Sequence, residues 1–151
     1  MATASSLGRF LTAFRDALGS RSGLAGVRIF TGPVGEQDVG QENIVFAVDE
    51  TRVDQDFPTA GQREAFESYE VEGRIWIVKP GSGESVIAAA RERALEILAE
   101  VQSECTSNMT MDGSVRSLLL TSFSLTQLPL DGARDCRVSF TVEVKANFTA
   151  S

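Results

Sequence analysis

Apolar and polar positions alternate with two different periods along this chain, and the changes of period divide it into elements. Leu7, Phe10, Leu11, Phe14, Ala17 and Leu18 recur at spacings of three and four, so the spacing predicts a helix over 7–18 with one apolar stripe. Ser5 or Ser6 stands where an N-cap belongs and Gly19 where a C-terminal glycine belongs. Val27–Phe30 reads as a strand stopped by Gly32 and Pro33, and Ile44–Val48 as a short buried strand. From Phe66 to Val78 the period is two. Tyr69, Val71, Ile75 and Ile77 fall on one face, and Glu70, Glu72 and Arg74 on the other. Gly73, midway along, predicts a bulge or bend.

The strongest helical signal runs from Glu84 to Ser103, with Ile87, Ala90, Ala94, Leu95, Ile97, Leu98 and Val101 along one face. Ser82 or Gly83 is placed to cap it, and Glu84 suits its first turn. Two more strands follow. Val115–Thr126 places Val115, Leu119, Phe123 and Leu125 together, with Leu118 and Leu120 also apolar, which predicts a central strand. Val138–Phe148 alternates without a break, with Val138, Phe140, Val142, Val144, Ala146 and Phe148 inward. Asp131-Gly132 marks a hairpin between them, with a connection longer than two residues. The order α-β-β-β-α-β-β predicts an α+β domain over 1–151, with a mostly antiparallel sheet of four to five strands and two main helices packed on one face.

Two segments lack any usable period and are expected to be mobile loops, near 31–43 and 49–65. The second holds Asp49, Glu50, Asp54 and Asp56 against Arg52, with Phe57 beside them, and is a candidate contact element. Glu92, Glu96, Glu100 and Glu104 recur every four residues on the main helix, although like charges at that spacing cost a few tenths of a kcal/mol per pair. Such a stripe is either a solvated face beside Arg91 and Arg93, or a surface for a partner or for a passage that repels nucleic acid. Trp76, the single tryptophan, falls on the polar side of its strand, where it is either an interface anchor or covered by another part of the fold.

Composition removes several classes of function. There is no histidine, which excludes Ser–His–Asp triads, Cys–His pairs and histidine metal ligands. The formal charge of −7 argues against an open basic surface for nucleic acid. Cys105 and Cys136 lack a C-x-x-C spacing and read as buried, reduced thiols. Gly81-Ser-Gly83 precedes a helix but lacks a Walker lysine, and the carboxylate pairs Asp54/Asp56 and Glu70/Glu72 do not form a calcium loop. No catalytic, cofactor or metal site is therefore expected, and the chain is not read as an enzyme. No stretch approaches the roughly 18 apolar residues of a membrane span, and no secretory leader is expected, which places synthesis in the cytoplasm.

The layout carries one resemblance. An N-terminal helix leads into Leu24-Ala-Gly-Val-Arg-Ile-Phe-Thr-Gly-Pro33. A variable loop, a strand ending at Ile75-Trp-Ile-Val78, and the helix Ala89-Ala-Arg-Glu-Arg-Ala-Leu-Glu-Ile-Leu98 follow, and Val138-Ser-Phe-Thr-Val-Glu-Val-Lys-Ala146 closes the chain. This arrangement resembles the tail terminator, or tail completion, proteins of long non-contractile-tailed phages, especially those of actinobacterial hosts. The resemblance spans nearly the whole chain through short motifs. It implies a hexameric ring at the tail–head junction of the virion that caps the tail tube, ends its growth and docks the head–tail connector protein. DNA would pass through without specific binding, past the stripe of Glu92, Glu96, Glu100 and Glu104. The competing readings are another head–tail joining protein, a tail tube subunit, a small non-catalytic protein-binding module, or a small enzyme or ligand carrier.

Overall fold

The computed structural model of the chain describes residues 4–57 and 64–149, with the backbone alone at Glu36, Phe148 and Thr149. Pro58 and Gly61 of the predicted loop, and the inward placement of Phe148, lie outside what is described. In chain order the elements are α1 (Leu7–Gly19), β1 (Arg28–Phe30), β2 (Glu42–Phe46), β3 (Val53–Asp56), β4 (Glu64–Pro80), α2 (Glu84–Ser107), β5 (Ser117–Leu130) and β6 (Ala133–Thr149), with short 3-10 turns at Ser22–Leu24 and Glu36–Asp38.

The strands form one six-stranded sheet in the order β1-β2-β4-β6-β5, with β3 paired to β4 beside β2. Among the described residues only β1 and β2 run parallel; every other pair is antiparallel. The sheet has one strand more than the four to five expected. The addition, Val53-Asp-Gln-Asp56, is a strand with three exposed positions out of four, so no apolar alternation announced it.

The central ladder is β4 against β6, in unbroken register from Glu64–Thr149 to Pro80–Ala133. Their alternate residues Tyr69, Val71, Ile75, Ile77, Val138, Phe140, Val142 and Val144 are buried, and α1 and α2 pack against that face. α1 contributes Phe10, Phe14 and Leu18, all fully buried. The Phe10, Phe14, Phe46 and Phe140 rings run in sequence across the core, with successive centroids 5.4, 4.7 and 5.8 Å apart. Tilted and edge-on pairs of this kind add about 0.5–1.5 kcal/mol each beyond the area they bury.

Gly73 makes no bulge: it pairs with Phe140 on one side and Phe46 on the other. The glycine is there for space, because a Cβ at this position would overlap the Phe140 ring. Gly19 ends α1 without a left-handed turn; the cap is Ser20, whose N–H bonds the Asp16 carbonyl. The hairpin between β5 and β6 is also tighter than expected. Leu130 pairs with Ala133, so Asp131 and Gly132 (φ +70°) make the whole connection.

β5 departs furthest from its expected place. It is an edge strand, not a central one, and the ladder to β6 slips by one residue between Leu120 and Ser122. The slip changes which residues share a face. Leu118 is buried whereas Leu119, expected inward, lies opposite Glu143 on the helix-free face; Phe123 lies opposite the buried Phe140 as expected but is left exposed at the sheet edge. Leu95 of α2 likewise lies outside the buried face that its helical spacing predicts.

Candidate functional site

The residues singled out by sequence do not converge on one pocket; they fall on three regions of one sheet-and-helix body. The four glutamates of α2 are not one face. Each step of four residues advances about 40° around a helix of 3.6 residues per turn, so the stripe winds from solvent toward α1. Glu92 and Glu96 are exposed, Glu100 is half-buried and Glu104 is buried. Arg21, between α1 and the following turn, meets the inner pair: its Nε donates to Glu100 at 2.6 Å and its Nη1 to Glu104 at 3.1 Å. Hydrogen bonds to both carboxylates raise the guanidinium above its ordinary value. Arg93 donates to Glu42 on β2 at 2.9 and 3.1 Å and to Glu96 at 3.3 Å. Half of the stripe is therefore a bracket between helices, and only Glu92 and Glu96 present an acidic surface.

Arg52, Asp54, Asp56 and Phe57 lie together along β3 and its ends, at the opposite edge of the sheet from β5. Arg52 and Asp54 form an ion pair of 3.1 Å that is largely in water, worth well under 1 kcal/mol. Asp54 and Asp56 sit opposite Ser68 and Phe66 of β4, on the sheet face without helices. An open cleft of about 340 Å³ adjoins them, lined by Glu50, Arg52, Asp54, Ser68, Tyr69, Glu70 and Glu143. Among the described residues no three His, Cys, Asp or Glu side chains are grouped to hold a metal ion.

Trp76 is on the same helix-free face and is half-buried. Its indole N–H donates to Asp135 at 3.1 Å, and the Arg137 guanidinium lies 4.4 Å from its ring centre. Arg137 in turn donates to both oxygens of Asp135, which is itself buried. The tryptophan is thus fixed by a charged pair on β6, which gives it a rigid orientation beside the 31–35 loop and Val45.

Three features were not read as sites from the sequence. The first is Glu67, a buried carboxylate that accepts from the Ser6 N–H at 2.8 Å, the Ser6 hydroxyl at 2.7 Å and the Gln55 amide at 2.8 Å. Ser6 stands at the N-cap of α1 but turns its hydroxyl to Glu67 instead of its own helix. The Tyr69 hydroxyl completes the group at 2.9 Å from Ser6 Oγ. Burial alone would raise the Glu67 carboxyl, but the hydrogen bonds from Gln55 and Ser6 hold it below its ordinary value. Burial pushes the Tyr69 hydroxyl up to about 12, so it stays a donor.

The second feature is β5 itself, whose Leu119, Phe123, Leu128 and Leu130 are 63%, 51%, 47% and 42% exposed. The third is the groove between β5 and α2, about 320 Å³, lined by Gln102, Cys105, Thr106, Met109 and Leu118–Leu120. Both cysteines are free and buried. Burial, with Glu104 adjacent, pushes the Cys105 thiol up to about 12, and burial raises Cys136 as well. Neither is a nucleophile in this environment. No helix among the described residues is long and apolar enough to cross a membrane.

No protein-family model matches the chain, and no curated protein matches it by sequence. Among solved structures it is similar to a chain in the "virion of native gene transfer agent (GTA) particle". The TM-score is 0.53 at 11% sequence identity, and the match covers 95% of this chain and 100% of that one. The two chains share a fold, end to end, at an identity too low to carry individual residue roles across.

Proposed function

We propose that this protein is a structural subunit of a phage-like virion. More specifically, we propose a tail terminator that assembles as a hexameric ring on the end of the tail tube. One observation carries the reading: 95% of this chain shares its fold with the whole of a chain in a gene transfer agent virion. The layout of its elements, which resembles tail terminators, supplies the finer role. In this reading the ring stops addition of tail tube protein, offers its other side to the head–tail connector protein, and lets DNA pass without specific binding. It sits at the tail–head junction and performs no catalysis and holds no cofactor.

The geometry narrows which residues serve that role. Arg21 and Arg93 occupy Glu100 and, in part, Glu96, so the wall repelling DNA is assigned to Glu92 and Glu96. Negative-stain microscopy of the purified protein, alone and mixed with the tail tube protein of the same virion, tests the proposal. Closed rings, or tubes capped at one end, support it. Long tubes of this protein alone would make it a tube subunit instead, and a particle that neither closes nor caps would remove both roles.

A further inference from the structure

β5 is an edge strand that lacks the usual protection. Edge strands of monomeric proteins carry charged side chains to prevent pairing with another sheet, and none of the residues Ser117–Leu130 is charged. Its Leu119, Phe123, Leu128 and Leu130 stand exposed. The irregularity at Leu120/Ser122 and Pro129 bracket a regular stretch, Ser122–Leu128, whose outer edge has no partner strand among the described residues.

The surroundings of this edge say what it meets. Arg116 precedes it, Lys145, Arg137 and Arg134 pair with its residues, and Arg91 donates to Gln127, against Glu143, Asp135 and Asp131, so cations outnumber acids along this edge. On the far side of the same sheet, past β4 and beside β2, the sign is reversed: among the described residues β3 pairs only with β4, and it carries Asp54 and Asp56, with Asp49, Glu50 and Arg52 just before it. Two β5 strands pairing antiparallel would bring the Arg116/Lys145 end of each against the Arg91/Arg134 end of the other, which repels. Pairing β5 with β3 brings unlike charges together.

We infer that the sheet continues from one copy of this chain to the next, with the Ser122–Leu128 edge of β5 docking on the acidic β3 edge of a second copy. The inference deepens the reading above by naming the surfaces that join the ring. Because the two edges differ, the contact is head-to-tail and repeats around a ring instead of ending at a pair. Ser122 and Ser124 pair with Thr141 and Ser139, and Asp54 and Asp56 with Ser68 and Phe66. All four therefore project from the helix-free face and become neighbours in the continued sheet.

Charge reversal in trans tests this. One variant carries S122E and S124E, the other D54K and D56K; circular dichroism and thermal melting verify that each folds. Association is followed by light scattering and negative stain, with and without the tail tube protein. Each variant alone is expected to lose self-association by about tenfold or more, the scale of like charges facing across an interface. An equimolar mixture is expected to recover it, since each new edge then meets its complement. Variants that assemble as the wild type does, or a mixture that fails where the wild type succeeds, would overturn the contact and leave the terminator role standing. A wild-type chain that associates through these edges but never caps tubes would remove the role and keep the contact. A wild-type chain that is monomeric in every condition would remove both.

Discussion

Replacing Glu67 with alanine probes how α1 is held to the sheet. The carboxylate lies at the start of α1, where its charge faces the positive end of the helix dipole, and it collects three donors from Ser6 and Gln55. After the substitution Gln55 still donates to the Ala4 carbonyl at 2.7 Å, and the Ser6 hydroxyl still has Tyr69 at 2.9 Å. Ser5, whose side chain also hydrogen-bonds the carboxylate, is half-buried and can turn to water, so the buried group left without its partner is the Ser6 N–H, at a cost of about 1–3 kcal/mol for a buried orphan donor. Loss of the charge at the helix end adds about 0.3–1 kcal/mol. Glu67→Ala is therefore expected to lower stability by about 1–4 kcal/mol, and Glu67→Gln, which keeps an acceptor but not the charge, by less. The pH dependence follows from the lowered carboxyl. Its contribution is full above the ordinary value of 4.5 and disappears as pH falls through the lower value of the folded state. Urea unfolding followed by the fluorescence of Trp76, the single tryptophan, measures both effects. Equal stability of wild type and Glu67→Gln at neutral pH, or a gap between them that does not shrink on acidification below 4.5, would refute the reasoning.

Three other expectations rest on separate parts of the molecule. Gly73→Ala forces a methyl group into the Phe140 ring and is expected to cost about 1–3 kcal/mol, partly recovered by Phe140→Leu, as thermal melting would report. Arg21→Ala leaves Glu104 buried without its cation and is expected to cost about 1–3 kcal/mol, while Glu92→Gln stays within about 0.5 kcal/mol; equal melting temperatures for the two variants would contradict the division of the stripe. Cys105, held protonated up to about 12, is expected to resist thiol-labelling reagents in the native protein throughout neutral and mildly alkaline pH, and to react only as fast as the chain unfolds.

Much of this architecture was legible because burial writes a period into the sequence. β4 and β6 are half-buried along their lengths, so Tyr69 to Ile77 and Val138 to Ala146 alternate as a sheet with one helix-covered face requires. α2 was legible for the same reason, apart from Leu95, which sits at the margin of its buried stripe. β3 was not, since a short edge strand of Asp-Gln-Asp buries too little to show alternation. The β5 pattern misled because a one-residue slip separates its two halves: Leu119 falls opposite Glu143 on the helix-free face, whereas Phe123 falls opposite Phe140 on the helix-bearing face and is exposed only because β5 is an edge. The candidate surfaces divide in the same way. Glu92 and Glu96 were readable as an exposed acidic stretch, whereas the partners of Glu100 and Glu104 come from Arg21, far away in sequence. Glu67 offered no signal at all, because the donors that bury it lie on α1 and β3 and only tertiary folding brings them together.

The central claim is that this chain ends a tail tube. Its most direct test adds the protein to preformed tubes, supplies fresh tail tube protein, and measures tube lengths by electron microscopy before and after. The account predicts a ring at one end of each treated tube and no further growth from that end. Continued elongation past a bound ring, or tubes that lengthen as if the protein were absent, would contradict it.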